Sequence, residues 1–136
     1  MVTVAEVQAF LAKEFPQATV EVLAVDQRGA RVRQPIGHSH LRPGGTVSGP
    51  TMMALADTAA YVAIFGRIGI VPLAVTTNLS INFLSKPAPE RALLAEAEPL
   101  KVGSRLAVVD VRLYSEGEPT LLAQASVTYS IPPGAR

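Results

Sequence analysis

From Pro50 to Phe65 the chain reads Pro50-Thr-Met-Met-Ala-Leu-Ala-Asp57-Thr-Ala-Ala-Tyr61-Val-Ala-Ile-Phe65. Ala, Met and Leu are strong helix formers. Ser48 stands where an N-cap belongs, Pro50 is tolerated in a first turn, and Gly66 or Gly69 can close the helix. The residues are apolar nearly all round, which marks a helix buried on most of its faces. The spacing therefore predicts a long central helix from Gly49 to Gly66.

The flanking sequence says what surrounds it. Upstream, Thr3-Val4-Ala5-Glu6 matches a capping box, and Val4, Val7, Phe10 and Leu11 recur at helical spacing up to Pro16. This predicts a short amphipathic helix packed as a lid. Two strand candidates follow, Thr19 to Val25 and Ala30 to Ile36, joined by the turn Asp26-Gln27-Arg28-Gly29. The stretch from Gly37 to Gly49 is a Gly-rich loop. Downstream, Leu73 to Ser85, Arg91 to Lys101, Arg105 to Ser115 and Thr120 to Ile131 are long strand candidates with short turns, which makes neighbours antiparallel. A sheet of about six strands with one long apolar helix is expected to wrap around it. The fold class is α+β, the hotdog arrangement, in a single domain over 1–136.

Composition narrows the function. Of the 136 residues, 49% are hydrophobic and 17% charged, against about 25% charged in a typical soluble domain. Disorder is excluded, and surplus apolar area points to an oligomer interface. Twelve Lys plus Arg against eleven Asp plus Glu, with no Trp, leave nucleic-acid binding little to stand on. Zero cysteines remove disulfides, thiolate zinc sites and a cysteine nucleophile. Two histidines, His38 and His40, are too few for a metal centre, so no metal is expected. The N-terminus lacks a basic leader, and no apolar run reaches the ~20 residues of a membrane helix. A cytoplasmic protein without membrane contact is expected.

Asp57 is the one formally charged side chain between Gly44 and Phe65. A carboxylate on an apolar helix is either satisfied by a neighbouring strand or placed at a cleft, and perturbed carboxylates gather at active sites. The Gly-rich loop before the helix presents free N–H groups that stabilise developing negative charge. Gly49 and Asp57 are separated by roughly 12 Å along one helix axis, too far to serve one reacting atom. The same helix from a two-fold partner closes that gap, so a working site requires at least a dimer. A Ser-His-Asp triad through Ser48 or Ser39 is disfavoured because the Gly-x-Ser-x-Gly pattern is absent. Met52, Met53, Leu55, Tyr61 and Phe65 are candidates for a pocket lining, or plain core.

Arg42-Pro-Gly-Gly-Thr-Val-Ser-Gly-Pro-Thr-Met-Met-Ala-Leu-Ala-Asp57 resembles the loop and helix of PaaI-like hotdog acyl-CoA thioesterases. The likeness continues through Ala74 to Leu84, with Lys86-Pro87 as the turn, and through the hairpin Leu100 to Ala107, spanning Arg42 to the C-terminus. The resemblance implies Asp57 as general base or nucleophile, Gly49 as backbone donor to the thioester oxygen, and Thr76 as holder of the attacking water. It implies Arg42, Ser48, Lys86, Lys101 and Arg105 on the substrate, whose coenzyme A is part of the substrate rather than a cofactor. It also implies a homo-oligomer, commonly a tetramer. Two departures stand out: Arg42 replaces the usual Asn, His or Gln, and Ser48-Gly49-Pro50 replaces His-Gly-Gly. The alternatives are a non-catalytic acyl-CoA-binding protein and, with no histidine beside the acid, less readily a hydratase or dehydratase.

Overall fold

The computed structural model describes residues 1–134; Ala135 and Arg136, the last two positions of the expected domain, lie outside the described residues. The first helix, α1 (Val4–Glu14), opens on the expected capping box. Thr3 Oγ1 accepts from the Glu6 N–H at 3.1 Å and Glu6 Oε1 accepts from the Thr3 N–H at 3.0 Å. Its Val7 and Leu11 are buried. Gln8 fastens it to the first strand: Nε2 donates to the Val20 carbonyl at 3.1 Å and Oε1 accepts from the Val22 N–H at 2.7 Å. One side chain thus occupies backbone groups that an edge would otherwise leave open.

Six strands follow the order β1 (Glu21–Asp26), β2 (Gly29–Gln34), β3 (Val75–Phe83), β4 (Leu93–Val102), β5 (Leu106–Ser115) and β6 (Ala123–Ser130) along the chain. In space they run β1-β2-β4-β5-β6-β3, each pair antiparallel. The Gly-rich loop contains a single 3-10 turn at His38–His40. Element bounds lie within three residues of those expected from the sequence, and differ mainly because strand ends without a ladder partner stay irregular.

The long helix α2 (Gly49–Ile68) is the sausage of the hotdog. Ser48 caps it, its Oγ accepting from the Thr51 N–H at 3.2 Å. Gly69, with φ of +86°, ends it in a region that favours glycine. Ala56, Ala59, Ala60 and Ala63 are fully buried, and their small side chains let the sheet close tightly over the helix. The approach is tightest at Gly66, where a methyl group would fall 2.2 Å from the Asp26 carbonyl oxygen. Among the described residues no helix is long and apolar enough to cross a membrane.

At one side of the sheet, β3 pairs with β6 and with nothing else among the described residues. Every residue of β3 is exposed or half-buried. Val75 and Phe83 on it, and Leu84 just beyond, are at least half exposed. A nine-residue unpaired edge with exposed apolar side chains at both ends is a pairing surface that proteins seldom leave uncovered.

Candidate active site

Three elements converge on Asp57. The residue projects from α2 and is half-buried. Thr76 of β3 donates its hydroxyl to Asp57 Oδ1 at 2.6 Å. Tyr129 of β6 directs its hydroxyl at the same Oδ1 at 2.9 Å and at the Asp57 carbonyl oxygen at 3.0 Å. Oδ2 accepts no hydrogen bond from the described residues. The carboxylate therefore has one occupied oxygen and one open one.

Strand alternation alone would put Thr77, not Thr76, on the face shared by Leu79 and Ile81. The structure shows a one-residue irregularity here: Thr76 pairs with Tyr129 and Asn78 with Thr128, leaving Thr77 extra. A bulge of this kind re-aims the side chains beyond it. It turns Thr76 onto the helix-facing side, beside Asp57.

Tyr129 escaped the sequence reading. The available signal was its place at the end of an inward row with Ala123, Ala125 and Val127, where a buried hydroxyl needs a partner. Burial first, and then the charge of Asp57, push its phenol above the ordinary tyrosine value. Tyr61 stacks on it with ring centroids 5.7 Å apart. Tyr61 donates its own hydroxyl to the Pro72 carbonyl at 2.8 Å, and burial likewise raises its phenol.

A cavity of about 390 Å³ opens at this cluster. Asp57, Thr76 and Tyr129 form its polar end, while Phe10, Phe15 and Tyr61 supply an aromatic wall. The helix expected as a lid, α1, is thus also part of the cavity. Of the apolar α2 residues considered for the lining, only Tyr61 borders it. Met52, Leu55 and Phe65 belong to the core, and Met53 is exposed.

The remaining sequence-predicted residues divide between the two ends of β3. Val102, Ala107, Tyr129 and Thr76 make one row across the sheet, so Lys101 and Arg105 lie at the Asp57 end. At the other end Gly49 rests against Phe83, where a methyl group on Gly49 would stand 3.5 Å from the ring. Ser48 precedes Gly49, and the Leu41–Val47 bridge holds the Arg42 loop beside them. Lys86 follows just beyond Phe83. The Gly49 N–H has no acceptor among the described residues. Ser48 Oγ is engaged with Thr51, whose Oγ1 is 2.7 Å away. Arg42, Lys86, Lys101 and Arg105 form no ion pair among the described residues, whereas Arg31, Arg33, Arg91 and Arg112 all do.

The histidines do not join the site: His40 Nδ1 accepts from the Gly37 N–H at 2.8 Å in the loop turn. No cluster of three metal-ligating side chains occurs among the described residues.

A family model described as the thioesterase superfamily matches residues 44–122, from the Gly-rich loop to the residue before β6. The chain belongs to the thioesterase superfamily. Among solved structures, a candidate thioesterase from Silicibacter sp. TM1040 is 42% identical, with 98% of this chain and 94% of that chain covered and a TM-score of 0.89. Zebrafish thioesterase superfamily member 2 is 25% identical, with 97% and 100% covered and a TM-score of 0.85. A hypothetical thioesterase from Streptococcus pneumoniae, solved with coenzyme A, is 20% identical, with 85% and 90% covered and a TM-score of 0.75. No curated protein matches. The hotdog fold, expected from one long apolar helix among about six strands, and the PaaI-like thioesterase family, expected from the three blocks between Arg42 and the C-terminus, agree with these likenesses.

Proposed function

We propose that this thioesterase-superfamily chain hydrolyses acyl-CoA thioesters at sites built jointly by two copies of itself. The observation that carries the reading is the open Oδ2 of Asp57 beside Thr76, in a cavity with an aromatic wall. Because the Thr76 hydroxyl hydrogen goes to Asp57 Oδ1, only its lone pairs remain for a ligand. A water donating one hydrogen to Thr76 Oγ1 and the other to Asp57 Oδ2 turns its own lone pair toward the cavity. That use for the threonine lone pairs favours general-base catalysis over direct attack by the carboxylate.

The hydrolytic step follows from this placement. Asp57 takes a proton from the water as its oxygen bonds to the thioester carbonyl carbon. The carbonyl oxygen becomes an oxyanion, met by a backbone N–H. Its collapse breaks the carbon–sulfur bond, and the proton held by Asp57 passes to the departing thiolate. The products are a free acid and coenzyme A.

The backbone donor comes from a second copy. Within one chain Thr76 and Phe83 sit at opposite ends of β3, about 23 Å apart along the strand, Asp57 meeting the Thr76 end and Gly49 the Phe83 end. Pairing β3 with its two-fold copy, antiparallel and edge to edge, lays the Thr76 end against the Phe83 end. Asp57 then faces Gly49 of the partner subunit, and the unpaired β3 edge is covered. The same operation gathers Lys101 and Arg105 with Arg42 of the partner subunit and Lys86 of the partner subunit. Four unpaired cations around one cavity suit the phosphates of coenzyme A. A chain of this fold has been solved with coenzyme A, which agrees with that reading.

The test is thiol release from a panel of aryl, short-chain and medium-chain acyl-CoAs. Wild-type protein is expected to turn over at least one class, and Asp57→Asn to lose at least about a hundredfold in kcat while keeping its fold. A folded Asp57→Asn protein as fast as wild type ends the proposal. Tight acyl-CoA binding by a wild type without turnover would make the protein a binder.

A further inference from the structure

We infer that Tyr129 is a positioning residue, which fixes the rotamer of Asp57 and leaves Oδ2 as the reacting oxygen. The inference rests on the catalytic reading of Asp57 and adds a residue to it. Its basis is that the hydroxyl addresses two atoms of a single residue, the side-chain Oδ1 at 2.9 Å and the main-chain carbonyl oxygen at 3.0 Å. A donor held between these two atoms fixes the torsion linking the carboxylate to the helix backbone. Thr76, from a different strand, reaches the same Oδ1. Two hydroxyls on one oxygen leave the carboxylate a single open acceptor, directed into the cavity. Without Tyr129 the carboxylate could rotate about its own axis and exchange its oxygens.

Its surroundings make Tyr129 a stiff support. The residue is only 4% exposed, its ring stacks on Tyr61, and its strand is hydrogen-bonded on both sides by β5 and β3. Its raised phenol keeps the hydroxyl protonated, and so a donor, across the working pH range. The hydroxyl is committed to Asp57 and takes no direct part in the bond-making step, so it acts through the carboxylate.

The experiment compares Tyr129→Phe with wild type, in the native Asp57 and in the Asp57→Asn background. Rates are expressed per binding site counted with a non-hydrolysable acyl-CoA analogue. Phe keeps the ring and its stacking while deleting the hydroxyl. The expected result is a kcat loss of about 10- to 100-fold, typical of a misplaced catalytic group, with KM within twofold. In the Asp57→Asn background the same change should cost almost nothing, since no base remains to be positioned. Unchanged kcat in Tyr129→Phe overturns the inference alone. An equal loss in both backgrounds, or a variant that titrates no sites, assigns the hydroxyl to the fold and overturns it too. A wild type that binds but never turns over overturns the catalytic reading, and this inference with it.

Discussion

Thr76 meets Asp57 at 2.6 Å because β3 carries one extra residue, Thr77, between the Thr76–Tyr129 and Asn78–Thr128 pairs. The two adjacent threonines therefore have different tasks. Thr76→Val is expected to lower kcat by about 10- to 100-fold, and Thr76→Ser to stay within a few fold of wild type. Thr77, whose hydroxyl only approaches the Thr128 carbonyl at 3.4 Å, should tolerate valine with unchanged kcat. Steady-state thiol release across the three variants checks the assignment. Equal losses at both positions would show that the bulge itself, rather than the Thr76 hydroxyl, is what matters.

A site shared across a two-fold axis has a decisive genetic signature. Asp57→Ala removes the base from a protomer. Gly49→Pro removes only the N–H, and proline is tolerated at a helix start. Ser48 is already extended, at ψ 151°, as a residue before proline prefers. Each homodimer should be inactive. A heterodimer isolated by two different affinity tags contains one intact site and one doubly damaged site, so it should recover about half of wild-type activity. Heterodimers as dead as their parents would place both groups in one protomer.

The helix at the centre of the fold was legible because its composition admits one environment. Asp57 stood out on it for the same reason, as a charge with no local partner. Relations crossing the sheet were less accessible. The order β1-β2-β4-β5-β6-β3 sets β3 beside β6, the last strand of the chain, with β4 and β5 between them in sequence. Tyr129 reaches Asp57 only through that adjacency. The bulge at Thr77 was also hidden, since the local pattern of Val, Thr and Ile reads equally well with or without it. The resemblance supplied Thr76, and the register explains why its neighbour would not serve. The resemblance points to Arg42 at the place of the usual amide or imidazole donor, and to Lys86, Lys101 and Arg105 as basic side chains near the hairpins. Their division into two groups at opposite ends of β3 was visible only once the register was known.

Ser48 sits beside the proposed oxyanion donor, yet its hydroxyl is occupied as the N-cap of α2. Ser48→Ala should cost about 1 kcal/mol of stability and Ser48→Gly a few tenths. KM should change little in either variant if capping is the whole of its role. Urea midpoints measured alongside KM separate the two possibilities. A large rise in KM without a stability loss would return Ser48 to the substrate contacts implied by the family resemblance.

The two raised phenols give the fold a defined alkaline weakness. Tyr129 and Tyr61 both ionise above the ordinary tyrosine value of 10.0 in the folded chain. Their stabilising contribution is whole below that value and is lost as pH rises toward the folded-state value, because the unfolded chain releases the proton first. Tyr129, whose shift is the large one, should remove about 1.4 kcal/mol per pH unit just above roughly pH 10, and Tyr61 acts in the same direction. Tyr129→Phe loses both hydroxyl contacts to Asp57 and should be less stable than wild type at pH 8. It should also show a shallower decline between pH 10 and 11.5, so the two stability curves converge. Urea unfolding across that interval checks the slope. Parallel curves would mean that the Tyr129 phenol ionises alike in both states, against its burial beside the Asp57 carboxylate.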